Sequence, residues 1–181
     1  MPHRLVFAMI LCLGIGTVLG QEAPTAQREA MKKLDFLTGT WEGGGSIEFV
    51  PGQKREFKGL ETVRSKADGL VQTIEGIHRG QFGGKGAEVV IHNAFAVVTY
   101  DVKSKEYRFE AFTSRGNRED AVAKVTDRKL EWAMSIPQFG EVRYTISLDE
   151  NGQWSEIGEV SKDGKEWRKF FDMKLHRVEA K

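Results

Sequence analysis

The chain has 181 residues, enough for one domain with a sizeable core. Its 27 basic and 26 acidic residues nearly balance, which removes the electrostatic case for nucleic acid or an anionic membrane surface as partner. Its one cysteine is Cys12, which excludes a disulfide scaffold and, beyond that position, thiol chemistry.

Residues 1–20 read as a secretory signal peptide. Arg4 gives the positive start, Leu5 to Leu13 is almost wholly apolar, and Val18-Leu19-Gly20 suits cleavage. The apolar run is short for a membrane span of about 20 residues. Cys12 falls inside this leader and follows Ile10-Leu11 rather than small residues, so it does not read as a lipid attachment site. Removing the leader takes Arg4 away, leaving 26 basic against 26 acidic residues. The expectation is a secreted or periplasmic protein with no membrane contact after cleavage.

Residues 21–33 read as a tether and the start of a helix. Gln21 to Gln27 is polar and carries Pro24. Arg28 to Phe36 places Ala30, Met31, Leu34 and Leu37 near helical spacing, and Gly39 ends it. From residue 34 to residue 178 the pattern is a single β domain. Turn signals recur at Pro51-Gly52, Asp68-Gly69, Gly83-Gly84, Lys103-Ser104, Gly116-Asn117, Asp127-Arg128, Pro137-Gln138, Asn151-Gly152 and Asp163-Gly164. Such pairs favour tight hairpin turns. Ten extended segments lie between and around them, and several alternate. Leu130, Trp132, Met134 and Ile136 share a face, as do Val142, Tyr144, Ile146 and Leu148. Trp167, Phe171, Met173 and Leu175 read as one apolar face near the C-terminus, with Lys169 as an exception. The absence of βαβ alternation argues against a parallel sheet. The fold class expected is all-β: an antiparallel meander of about ten strands closed into a barrel, which removes exposed edges. A two-sheet sandwich is the structural alternative.

The stretch "FLTGTWEGGG" opens the first strand. It lacks the lysine and following helix of a phosphate loop, and Gly80 to Gly86 also misses that spacing. Trp41, Gly43, Gly45, Ile47 and Phe49 share one strand face, where inward glycines let a barrel strand bend and pass close to its neighbours. The short helix followed by Gly39-Thr40-Trp41 resembles the Gly-x-Trp signature of the calycin superfamily, which includes lipocalins, fatty-acid-binding proteins and haem-binding nitrobindins. The region from "LDFLTGTWEGGG" through "TYDVKSKEYRF" to "FFDMKLHRV", Leu34 to Val178, is most similar to small secreted bacterial lipocalin-like proteins. The resemblance implies that Trp41 plugs the closed end and that a basic residue of the last strand packs over its ring. Arg177 holds that place, so Gly39, Trp41 and Arg177 form the expected structural plug. A core aromatic without further role is the plainer reading of Trp41.

Chemistry is sparse. His78, His92 and His176 make no close metal-binding pair, and no Gly-x-Ser-x-Gly elbow occurs. Glu106, Glu110 and Glu119 show no pairing in the sequence, and Ser114 to Asp120 reads as a solvated hairpin tip. No metal and no catalytic set are expected, and the protein is not read as an enzyme. Nitrobindins ligate haem through a histidine near the last strand, and His176 sits in a comparable place. It shares a face with Asp172 and Lys174, opposite the apolar one, so haem remains a minor possibility. His78 alternates with Leu70, Gln72, Ile74 and Gly76, a mixed face suited either to a cavity wall or to a rim. Phe95, Phe112, Trp132, Tyr144 and Trp154 lie in different strands and narrow or fill the interior wherever they point inward. The expected ligand set is Ile74, His78, Trp132, Met134 and Tyr144, binding a small apolar molecule. A filled barrel with a structural or protein-interaction role is the alternative.

Overall fold

The computed structural model describes residues 25–81 and 86–179. The proposed leader therefore lies outside the described residues, as does the Gly83-Gly84 turn. Helix α1 spans Thr25–Lys32, and a single 3-10 turn covers Asp35–Leu37. Ten strands follow: β1 Gly39–Ile47, β2 Arg55–Lys66, β3 Val71–Gly80, β4 Val89–Asp101, β5 Glu106–Thr113, β6 Arg118–Thr126, β7 Lys129–Ile136, β8 Gly140–Leu148, β9 Trp154–Ser161 and β10 Arg168–Val178. Each pairs antiparallel with its chain neighbour, and β1 closes on β10, so the meander is a complete barrel rather than a sandwich. Closure leaves no strand with an unpaired edge. Among the described residues no helix is long and apolar enough to cross a membrane.

Two local expectations need correction. The helix does not run from Arg28 to Phe36. It begins at Thr25, within the residues read as tether, and stops at Lys32. The apolar positions Met31, Leu34 and Leu37 are still buried together, because the 3-10 turn carries Leu37 inward after α1 ends. In β10 the register shifts between Lys169 and Phe171. The extra residue of this bulge reverses side-chain parity. Phe170 and Phe171 are both buried. Trp167, before the bulge and outside β10, meets Arg143, whose guanidinium lies 4.0 Å from its ring centre.

The first strand shows why its glycines are there. A Cβ on Gly43 would collide with the Lys174 carbonyl, and one on Gly45 with the Asp172 carbonyl and, at 2.6 Å, the Phe57 ring. The β10 backbone crosses β1 too closely for any side chain at these positions.

Strand direction divides the barrel into two ends. The β2–β3, β4–β5, β6–β7 and β8–β9 turns lie at the end carrying α1. There Tyr107 donates a hydrogen bond to the Ala30 carbonyl at 2.7 Å, and Arg28 donates to the Asp68 carbonyl. The helix is thus tied to two hairpins and closes that end. The other five turns surround the open end.

Candidate functional site

At the closed end Trp41 is fully buried, and its indole N–H donates to the Leu37 carbonyl at 2.8 Å. It meets Trp154 edge to face with ring centres 5.5 Å apart. Opposite Trp41 in the β1–β10 register is Arg177, whose guanidinium carbon lies 4.3 Å from the indole centre. Arg177 also donates to the Thr38 carbonyl and, at 3.1 Å, to the Phe36 carbonyl. Gly39 has φ 147°, and a Cβ there would come within 2.6 Å of the Arg177 guanidinium. The Gly-x-Trp stretch and Arg177 thus form one packed unit.

Above this floor the barrel holds a cavity of about 690 Å³. Ile74, His78, Trp132, Met134 and Tyr144 all line it. Phe109 stacks on Trp132 with centres 4.3 Å apart, Trp132 stacks on Tyr144 at 5.3 Å, and Tyr144 meets Phe171 edge to face at 5.9 Å. These rings form a continuous aromatic wall. Trp154 also points inward. Phe95 and Phe112 do not: they are cross-strand partners on the outer surface, each 39 % exposed.

His78 is an interior residue rather than a rim one. It is buried, and its Nε2 lies 2.8 Å from Glu61 Oε1. The pair is diagonal across β2 and β3. Glu61 sits opposite Gly76, and His78 opposite Gly59. Each bulky polar side chain therefore faces a glycine, and a Cβ on Gly76 would come within 2.7 Å of both Glu61 carboxyl oxygens. His92 follows across the β3–β4 register, its ring 5.0 Å from that of His78. From the other side of the barrel β9 contributes Glu156, which also lines the cavity.

Burial governs the charge of this cluster. It pushes Glu61 up to about 8 from an ordinary 4.5. It does the same to Glu156, also to about 8, and the nearby Glu61 carboxyl adds to the rise. His78 is lowered to about 4 by burial. His92 falls to about 4 through burial, then through His78 and Arg115. Burial raises the Tyr144 hydroxyl as well. Near neutral pH the interior therefore carries two protonated carboxyls and the neutral His78 imidazole, because desolvation disfavours every charged form, while His92 is an exposed residue at the edge of the lining.

Sequence reasoning missed Glu61, His92 and Glu156. Glu61 left a signal: it alternates with Phe57, Gly59 and Val63 on the inward face of β2. Glu156 left little, since β9 is mixed on both faces. Among the acids taken as unpaired, Glu110 meets Arg118 at 3.3 Å on the outer surface. His176 is exposed on the outer face of β10, pairing in register with Glu42. Among the described residues no three of His, Cys, Asp and Glu gather into a metal-holding group.

No protein-family model and no curated protein matches the sequence. Among solved structures, the crystal structure of Rv2717c from M. tuberculosis is similar, with a TM-score of 0.57 at 15% identity over 82% of this chain and 97% of that one. At that identity the likeness speaks for a shared fold and for nothing of activity.

Proposed function

We propose that this barrel binds a small, largely apolar molecule in its interior, without catalysing its conversion, in a secreted or periplasmic setting. One observation carries the reading: the interior is a cavity of about 690 Å³ rather than packed side chains. That volume falls in the range of about 300–1,000 Å³ typical of small-molecule sites. The aromatic wall of Phe109, Trp132 and Tyr144 supplies apolar burial, and His78 with the two carboxyls supplies a few polar groups to fix orientation. The closed end supports such a role by holding the barrel shape without help from a filled core.

Native mass spectrometry of protein purified gently from its own host, beside a denatured sample, tests the reading together with titration of a neutral apolar fluorophore, N-phenyl-1-naphthylamine. The expected result is a mass excess that vanishes on denaturation, or saturable one-to-one binding of the fluorophore by the emptied barrel. Absence of both would overturn the reading and favour a barrel with a structural or interaction role.

A further inference from the structure

We propose that the ligand carries a protonated amine, seated between Glu61 and Glu156, with its apolar body along the Phe109–Trp132–Tyr144 wall. The proposal rests on the cavity reading above and names the ligand class.

Three observations carry the proposal, two of them bearing on the cationic head and one on the apolar body. Glu61 and Glu156 are only 6% and 9% exposed, yet the ion pairs of the described residues bring no lysine or arginine to either carboxyl. Glu61 has His78 as its hydrogen-bond partner. Glu156 has no hydrogen bond of ordinary geometry; the neighbouring Trp154 N–H only moderates the rise in its pKa. That N–H is itself buried without a partner. A carboxyl offers about four acceptor sites, so most of the hydrogen-bonding capacity here is unused. Burying such groups costs free energy that leucine or valine at the same positions would avoid. Departures of this kind belong at sites of function.

The second observation is the wall. Phe109, Trp132 and Tyr144 stack on one another along the cavity, an apolar surface for the body of the ligand. The third concerns the imidazoles. His78 is held neutral near pH 7 by burial, and partial desolvation together with His78 and Arg115 disfavours a proton on the more exposed His92, so the imidazoles set little positive charge against an incoming ammonium. The cations near the cavity are Arg55, Arg115 and Arg118. All three are exposed residues toward the open end, where Arg118 meets Glu110 and Arg115 donates to the Ile91 carbonyl. A carboxylate ligand entering the floor would meet two acids and no cation. An ammonium would let one of the two buried acids ionise with a counter-charge beside it while the other accepts a hydrogen bond.

Binding then has a proton linkage. The titratable groups facing the acid pair are His78 on β3, His92 on β4 and Tyr144 on β8; at the mouth Glu56 and Glu119 join the three arginines. The carboxyls are the groups here that hold protons near neutrality and must release one to pair with a cation. Amine affinity should rise about tenfold per pH unit up to about pH 8, one proton leaving per ligand bound. An alkylamine stays charged over this range, having a pKa of about 10.

Isothermal titration calorimetry with three ligands on one ring decides the matter: tryptamine as cation, indole-3-ethanol as neutral isostere and indole-3-acetate as anion. At about pH 8 tryptamine is expected to bind at least about tenfold tighter than indole-3-ethanol, and indole-3-acetate weakest. Repeating tryptamine at pH 7 in buffers of different ionisation enthalpy should report about one proton released. Glu156→Gln should weaken tryptamine more than indole-3-ethanol, so that the ratio of their affinities shrinks at least several-fold. Should that variant fail to fold, judged by circular dichroism, the proton count on the native chain decides alone. Equal affinities with no proton release, or tightest binding by the anion, would overturn the amine proposal and leave the cavity reading standing. No heat with any of the three at millimolar concentration would overturn both.

Discussion

The closed-end plug and the cavity above it handle polar groups in opposite ways. At the closed end the polar groups of the plug have partners: the Trp41 N–H finds Leu37, Gln72 finds the Thr38 hydroxyl at 3.1 Å, and Arg177 caps both an indole and two carbonyls. Where the cavity begins, at the Trp154 N–H beside the plug and at the Glu156 carboxyl above it, hydrogen bonding is incomplete. Complete pairing contributes stability; incomplete pairing costs it. The molecule therefore separates the part that holds the fold from the part that meets a ligand.

The largest expected effect breaks the closed end. Trp41→Ala removes a fully buried indole, its hydrogen bond, the Trp154 contact and the surface under Arg177. A loss of about 3–5 kcal/mol is expected, as for other buried aromatics. Urea denaturation measures it. A change below about 1 kcal/mol would mean that the end relaxes without its plug.

The next effect tests the interior through pH. Glu61 and Glu156 keep protons to about 8 when folded but lose them near 4.5 when unfolded. The folded chain then binds more protons across that window, so their contribution to stability declines as pH rises through it. His78 and His92 stay neutral down to about 4 against 6.5 unfolded. Their contribution declines as pH falls from 6.5 to 4. Between about pH 4.5 and 6.5 the imidazoles oppose the carboxyls, incompletely because His92 is exposed, and a decline shallower than that above about pH 6.5 is expected there. Whether a proton rests on Glu61 or on His78, that pair holds one, so the sharing leaves the count unchanged. Above about pH 6.5 stability should fall by up to about 2.7 kcal/mol per pH unit until about pH 8, if both carboxyls contribute. Glu156→Gln should roughly halve that slope. Urea midpoints measured across pH at constant m-value give the profile. A profile level to pH 9 would mean that the carboxyls are already ionised in the fold.

What was legible in the sequence follows the same division. All eight turn dipeptides that lie in the described residues fall between observed strands, because turn residues report backbone geometry locally. Gly39, Trp41 and Arg177 meet because strand register alone brings the chain ends together. The bulge at Phe170 was not legible, since an extra residue is set by pairing and leaves no composition mark. Nor was the cluster. Glu61 and Glu156 come from β2 and β9, which are not neighbours in the sheet, and only closure of the barrel turns them toward one space. Glu61 was visible singly, as an acid on an apolar parity, but its partner His78 is 17 residues away and diagonal to it.

The smallest effect sharpens the comparison where a glycine makes room for the cluster. Gly76 lies opposite Glu61, and an added Cβ would come within 2.7 Å of both its oxygens. The obstructing atoms end a flexible side chain, so Gly76→Ala displaces the carboxyl rather than the strand. Moving it breaks the contact with His78, leaving a buried imidazole without its partner. A loss of about 1–3 kcal/mol is expected, the cost of stranding a buried polar group. A second readout separates this cause from general crowding. The displaced Glu61 no longer holds its proton against His78 and Glu156, so the decline in stability above about pH 6.5 should become shallower in the variant. An equal loss at every pH would assign the effect to packing of β2 on β3 and leave the acid cluster undisturbed.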